Sequence, residues 1–505
     1  MGQDEASHYY KLIRMLFEGG WSPKSIIVFS PHGYPLFAAL LCKILHSASM
    51  LSVRLCGLIL WLATLSIVAW RDRRNCAVLI LACLPAACQA AAIVEIDQAF
   101  LPLVILLQVI AFEQLRKTTT YLPLAAAAFA LALWGRLTTP IILCAPLLLA
   151  AFCTSRRRAL HTAIAMLLGV LLFLGSWWLY CRLTGIDFNG PFSYLAASFA
   201  DTTVGERAGG VGKYAQNIIY LCLWGLNPFL ALLFILDGIR RVIDFRKCRS
   251  LSDGDILWLC AASILCGYTV IGGSLFGFPK YQIPAMPLMA LCLADALKTL
   301  KWDKVLVGFA AVAFFIFISC GDPLYFLRMP LREHLATGAH LSYITPVLLA
   351  LAFAACILFA LCEKKSRLAW KLLALAVGCN LAWSARQTFS PYSTGYIYGD
   401  RGECARLADV MCSNGWTNRR QLVHIEIAQI LGQYDDMGFK PNDAPTPEAL
   451  AALIASTNPN VVTLSYAIMP VGQFRAFRES PELNTALTNY LMHSDGHLFY
   501  WTRRQ

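Results

Sequence analysis

The run SRRRALHTAIAMLLGVLLFLGSWWLYC, residues 155–181, decides the fold class. Three arginines lead into residues 160–181, which hold no Asp, Glu, Lys or Arg and are long enough to cross a bilayer as one helix. The pattern recurs along the chain. Further apolar stretches lie near 52–70, 77–94, 98–113, 121–134, 139–153, 215–236, 256–274, 282–297, 304–320, 341–361 and 368–386, which makes twelve candidate spans. With 58% apolar and only 14% charged residues over 505 positions, the chain is a polytopic membrane protein and not a soluble one.

Basic residues mark alternate connections: RDRR (71–74), LRK (115–117), SRRR (155–158), IRRVIDFRKCR (239–249), Lys298, Lys301 and Lys304, and EKKSR (363–367) with Lys371. The positive-inside rule makes this set cytoplasmic. It also accounts for the net charge of +12, so no nucleic-acid partner is expected. The opposite, outer set holds residues 1–50, the Glu-Ile-Asp turn at 95–97, the loops 183–214 and 321–340, and the tail. Placing residues 1–33 outside calls for one more span ahead of them, thirteen in all; the alternative is that the topology is inverted. The 19 cysteines fall mostly inside apolar spans, where Cys behaves as a small hydrophobe, and do not describe a disulfide framework.

Three regions follow. Residues 1–50 form an outer loop with two amphipathic juxtamembrane helices. In DEASHYYKLIRMLFEGG (4–20), Tyr9, Leu12, Ile13, Leu16 and Phe17 share one face, and Gly19-Gly20 stops the helix. In FSPHGYPLFAALLCKILHS (29–47), Tyr34, Phe37, Leu40, Leu41, Ile44 and Leu45 repeat the spacing, which suits a surface lying on a membrane. Residues 51–386 form the transmembrane domain. Residues 387–505 read as a small α/β extracytoplasmic domain. There ECARLADVMCSNG is a helix with a Gly stop, QLVHIEI a strand, ALAALIAS a helix capped by Thr446 and Pro447, NPNVVTLSYA a turn and strand, PELNTALTNYLM a helix, and HLFYWTRR a final strand.

Ionisable residues outside the basic loops are expensive at a membrane and therefore informative. Asp4 and Glu5 are either helix-start carboxylates or chemistry, and Glu95 and Asp97 form the polar break between two spans, where folding alone would be served by Gly, Asn or Ser. Arg54 (SVRLCG) and Arg136 (WGRLTTP) read either as snorkelling anchors or as guanidinium forks for a phosphate. Lys280 and Tyr281, in FPKYQIPAMP (278–287), read either as an interfacial anchor pair or as part of the same phosphate site. His8 and His32 read as hydrogen-bonding partners of the acids and not as metal ligands. All of these gather in the plane of the outer leaflet. That arrangement suits an enzyme handling a lipid phosphate, whereas a membrane transporter or lipid flippase, the alternative, would place charge near the midplane on broken helices and carry internal repeats.

The order of DEASHYY, SPHGYPLF, VRL, EIDQAFLPL, LTTP and FPKYQIPAMPLMAL resembles the GT-C glycosyltransferases, within them the protein O-mannosyltransferase group that includes the lipid A aminoarabinose transferase. The likeness covers about residues 1–300. It implies an all-α polytopic bundle of thirteen spans with an outer C-terminal domain, in a bacterial inner membrane. The donor would be a polyprenyl (undecaprenyl) phosphate sugar, and the acceptor a lipid such as lipid A, a protein or a glycan. The resemblance is to a metal-independent branch, so no cofactor is expected. It maps the catalytic carboxylate onto Asp4, with Glu5 beside it, sets Asp97 at the acidic position of the second outer loop with Glu95 adjacent, and places Lys280 and Tyr281 near the lipid phosphate. Asp4 would be the base for the acceptor, and Arg54, Arg136 and Lys280 would stabilise the departing phosphate. This sequence departs from the pattern twice: SPHGYP lacks the paired prolines after histidine, and Thr139 stands where many relatives carry Lys.

Overall fold

The computed structural model describes residues 9–19, 30–72, 76–82, 84, 87, 99–201, 228–248, 251–271, 280–299, 401–416, 421–423, 427, 446–465, 471–495 and 498–504. The chain divides into two compact units, Leu12–Ser384 and a second that joins Met1–Lys11 to Ala385–Gln505. The spans expected at 304–320, 341–361 and 368–386 lie outside the described residues, as do most of 77–94 and the start of 215–236.

The described part of the first unit is helical. Its elements are α1 (Lys11–Glu18), α2 (Gly33–Ile44), α3 (Met50–Arg71), α4 (Cys76–Ala82), α5 (Leu101–Lys117), a 3-10 turn at Thr119–Tyr121, α6 (Leu122–Gly135), α7 (Thr138–Ile142), α8 (Cys144–Thr154), α9 (Arg156–Thr184), α10 (Gly190–Asp201), α11 (Pro228–Cys248), α12 (Asp253–Ile271), a second 3-10 turn at Lys280–Ala285, and α13 (Met286–Thr299). Among the described residues two helices are long and apolar enough to cross a membrane, within α3 (Ser52–Arg71) and α9 (Arg156–Thr184). Ser155 caps α9 by accepting a hydrogen bond from the Arg158 amide, and Gly185 ends it in the left-handed region at φ +73°. One side of α9 exposes Leu160, Ile164, Leu167, Leu171, Leu172, Leu179 and Leu183, an apolar face that suits contact with lipid.

Packing in this unit runs through small residues. The alanines of α6 lie against α9, where a Cβ added to Gly169 would stand 2.8 Å from the Ala126 carbonyl oxygen. Helix α2 meets α6 as closely: a Cβ on Gly33 would stand 2.7 Å from the Trp134 carbonyl oxygen. Close backbone approach of this kind gains dispersion contacts where burial from water contributes little.

Several expectations need correction. The stretch 139–153 is helical as expected but is divided into α7 and α8 at Leu143, between Pro140 and Pro146, with Leu143 itself in helical backbone. The stretch 282–297 begins in the 3-10 turn, with Pro284 inside it, before α13. Helix α11 continues through IRRVIDFRKC, which the charge pattern reads as a loop. The second amphipathic helix buries Tyr34, Pro35, Ala38, Ala39 and Cys42, while Leu40, Ile44 and Leu45 are exposed. Its small residues let it approach α3, where the Cys56 thiol donates to the Ala38 carbonyl at 3.8 Å. On the first, Leu12 and Ile13 are buried and Gly19 stops the helix at φ +74° as expected.

The described part of the second unit is α/β. It holds α14 (Arg401–Ser413), α15 (Pro447–Thr457), β1 (Val461–Ser465), α16 (Val471–Glu479), α17 (Pro481–Ala486), β2 (Tyr490–Asp495) and β3 (Leu498–Arg503). The three strands form an antiparallel sheet in the order β1-β3-β2, with Val462 and Met492 both opposite Trp501. Successive residues of β1 serve two cores. Val462 and Leu464 pack with Leu450, Ile454, Phe477 and Trp501, whereas Val461 packs with Leu407, Met411, Val423 and Leu498. The Thr446 cap and the Gly415 stop, at φ +67°, stand as read. One expectation does not: Tyr490-Leu491-Met492 opens strand β2 instead of ending a helix. The described part of QLVHIEI pairs in strand fashion through one parallel bridge, Leu422 to Val462. A short apolar run does not separate helix from strand by periodicity.

Candidate functional site

Helices α6, α9 and α12 each end at the same side of the first unit, and two aromatic groups collect there. Trp134 on α6 meets Trp177 and Tyr180 of α9 edge-on, with ring centroids 5.4 and 5.5 Å apart. His32, the residue before α2, is 4% exposed and stands edge-on to the same two α9 rings. Its Nδ1 lies 3.0 Å from the Tyr180 hydroxyl. The indole N–H groups are placed as well: Trp134 donates to Ser176 Oγ at 2.9 Å and Trp177 to the Phe188 carbonyl at 3.0 Å. Packed aromatic rings with satisfied polar edges make a rigid wall.

The second group starts two residues after Trp134. Arg136 terminates α6 in extended backbone, and its guanidinium lies over the Tyr281 ring, 4.5 Å from the centroid. Tyr281 stacks on Tyr268 with centroids 5.4 Å apart and planes 16° from parallel. The Tyr268 hydroxyl in turn meets Thr138 Oγ1 at 2.7 Å and Thr139 Oγ1 at 2.6 Å. A guanidinium lying on a ring is attracted by about 0.5–2 kcal/mol, depending on desolvation, and turns its N–H edge sideways. That edge is the part that matches a phosphate.

Of the residues singled out by sequence, the structure brings together Arg136 and Tyr281, with Lys280 opening the same 3-10 turn. His32 sits in the neighbouring aromatic group, and Arg54 is exposed on the first turns of α3. Asp4, Glu5, His8, Glu95 and Asp97 lie outside the described residues. Tyr268, Trp134, Trp177 and Tyr180 were not singled out, because an aromatic residue near the end of an apolar span reads as an interfacial anchor. The departure at position 139 has a structural counterpart: Thr139 is fully buried, and its hydroxyl is engaged by Tyr268.

The far ends of these helices carry a different chemistry. Asp253, at the start of α12, pairs with Lys117 at 2.6 Å and with Arg116, while Arg158 of α9 donates to the Lys117 carbonyl at 2.8 Å. Arg241 of α11 pairs with Asp237 at 2.6 Å, Asp255 at 2.7 Å and Asp295 at 3.2 Å. Partial burial opposes ionisation of Asp253, but the Lys117 hydrogen bond and the charges of Lys117, Arg116 and Arg71 outweigh it and hold the carboxyl below its ordinary range. For Asp255 burial is likewise outweighed, by hydrogen bonds from Arg241 and Ser252. This end is a set of matched ion pairs that tie helix termini together.

Comparison with solved structures identifies the fold. The crystal structure of ArnT from Cupriavidus metallidurans bound to undecaprenyl phosphate superposes with a TM-score of 0.65 at 15% identity, covering 99% of this chain and 93% of that one. The apo structure of the same protein gives 0.59 at 14% identity over the same shares. At this identity the likeness is one of fold: the chain folds as ArnT does over nearly the whole length of both. No protein-family model matches the sequence, and no curated protein matches it.

Proposed function

We propose that this chain is an integral membrane glycosyltransferase that moves a sugar from a polyprenyl phosphate donor, such as undecaprenyl phosphate sugar, to an acceptor on the extracytoplasmic face. The acceptor is a lipid such as lipid A, a protein or a glycan. The observation that carries this reading is the stack of Arg136 on Tyr281. It joins WGRLTTP to FPKYQIP, one motif offering a phosphate-matching cation and the other being the segment that the resemblance sets near a lipid phosphate. Its occurrence in a chain with the fold of ArnT, a protein crystallised with undecaprenyl phosphate, supports the assignment.

The chemistry needs few parts. The Asp4 carboxylate takes the proton of the acceptor hydroxyl or amine, the acceptor atom bonds to the anomeric carbon, and the bond from that carbon to the phosphate oxygen breaks on the opposite side. The electron pair leaves with the polyprenyl phosphate, so no general acid is required and the anomeric centre inverts. Arg136, Lys280 and Arg54 stabilise the charge that builds on the phosphate, Asp97 orients the acceptor or the base, and Glu5, Glu95, Tyr281, His8 and His32 shape the surrounding site. We carry no metal in this scheme.

The test is a pair of variants in membranes. Asp4→Asn should abolish transfer by at least about 100-fold while the protein remains inserted. Lys280→Ala should weaken use of the donor more than use of the acceptor. Full activity of Asp4→Asn removes that residue from the mechanism, and an unchanged donor dependence reduces Lys280 to an interfacial anchor.

A further inference from the structure

We infer that Tyr268 is a positioning residue, whose hydroxyl clamps Thr138 and Thr139 so as to hold the Arg136 guanidinium on Tyr281 in register for a lipid phosphate. The inference rests on the phosphate reading given above and assigns a role to three residues that this reading leaves unused.

The contacts form a closed circuit. Arg136 lies on Tyr281, Tyr281 stacks on Tyr268, and Tyr268 bonds Thr138 and Thr139, which follow Arg136 by two and three residues. Both ends of the circuit therefore belong to one four-residue segment, the joint between α6 and α7. At this joint the chain leaves one helix in extended conformation and enters the next, so the direction of the Arg136 side chain is set by few helical hydrogen bonds. The tyrosine supplies what the joint lacks. A phenol offers one proton and two lone pairs, enough to donate to one threonine while accepting from the other, and both distances are in the strong range for O–H···O bonds. Tyr268 is 4% exposed and Thr139 is fully buried, so the bond between these two is shielded from solvent, while the Thr138 bond is part-buried.

Packing alone does not require this arrangement. A phenylalanine would fill the same volume and keep the stack, and two valines would fill the places of the threonines. The hydroxyls add a fixed relation between the 3-10 turn bearing Tyr281, the end of α12, and the segment bearing Arg136. A guanidinium that must meet a phosphate edge-on gains from such fixing because less freedom is lost when the ligand binds.

The experiment measures affinity of the full-length protein in nanodiscs for undecaprenyl phosphate and for undecaprenol, the same lipid without its phosphate. The ratio of the two isolates the phosphate contribution from general lipid binding and from folding. Tyr268→Phe and the double variant Thr138→Val/Thr139→Val should each shrink the ratio about fivefold, and combining them should shrink it no further. The pair Thr138→Ser/Thr139→Ser, which keeps both hydroxyls, should retain the wild-type ratio. If Arg136→Ala removes the preference while Tyr268→Phe and the valine pair keep it, the clamp is overturned and the phosphate site stands. Should the wild-type protein fail to distinguish the two lipids, the phosphate reading falls and the clamp falls with it.

Discussion

Arg136 is informative less for its charge than for what it lies on. A lysine would keep the charge but lose both the flat face that rests on Tyr281 and the forked edge that meets a phosphate. Arg136→Lys is therefore expected to lower phosphate-dependent lipid binding by about tenfold, a loss of the size of one charge-assisted hydrogen bond. Tyr281→Phe should change it little, since the ring face is kept. The same binding assay checks both, and equal behaviour of Arg136→Lys and wild type would leave only a point charge to explain. Arg136 and Tyr281 were legible in the sequence because each breaks an apolar run with a residue that has a rival functional use. Tyr268 was not, since a single Tyr inside CGYTVIGG matches an interfacial anchor equally well. The signal available was the doubled threonine of LTTP, whose Thr139 hydroxyl is buried and needs a partner.

The elements behave as two kinds of joint. Between α6 and α9 the joint is steric, and Gly169→Leu should force the helices apart against the Ala126 backbone and Phe129. We expect a fall in the thermal midpoint in detergent of several degrees, whereas Gly175→Leu on the same helix, where an added Cβ meets nothing within 4 Å, should be tolerated. At the opposite ends of the helices the joint is ionic. Arg241→Ala would leave the fully buried Asp237 with Arg240 as its described partner, a loss of about 3 kcal/mol by analogy with broken buried pairs.

The acid dependence follows from Asp253 and Asp255, both held below the ordinary carboxylate pKa. A carboxyl depressed in the folded state stabilises it above the unfolded value, near about 4, and that contribution disappears as pH falls through the folded value. The contribution of these two carboxyls to the thermal midpoint should be constant from neutral pH to about 4.5 and fall below that. Asp253→Asn should lower the plateau and shallow the drop, and a variant with an unchanged acid slope would show that Asp253 is not responsible. Helices α3, α5, α6 and α9 were legible from apolar length, and charge marked the far ends. Charge could not tell that α11 runs on into its arginines, because Arg240 finds a carboxylate on α11 itself and Arg241 finds them on α11, α12 and α13.

At the scale of the whole molecule, motif order, apolar content and alternating charge pointed to a polytopic GT-C-like bundle with an α/β tail, and the match to ArnT over nearly the full length of both chains agrees in fold. Identity at that match is only 15%, so the fold was legible through pattern and not through residue-by-residue likeness. The tail illustrates the limit. Its caps and glycine stop were readable from local chemistry, whereas β2 was not, since Tyr490-Leu491-Met492 becomes a strand only by pairing with β3.

The metal-free scheme predicts that transfer in washed membranes survives excess EDTA. Complete loss, restored by a divalent cation, would require the acidic residues at 95–97 to be reconsidered as ligands. The central claim, transfer of a sugar from a lipid phosphate, is tested most directly in the source cell. Lipid-linked sugars and surface glycans are measured by mass spectrometry with and without the gene. The account predicts accumulation of one polyprenyl phosphate sugar together with loss of one glycan mass, and unchanged amounts of both would contradict it.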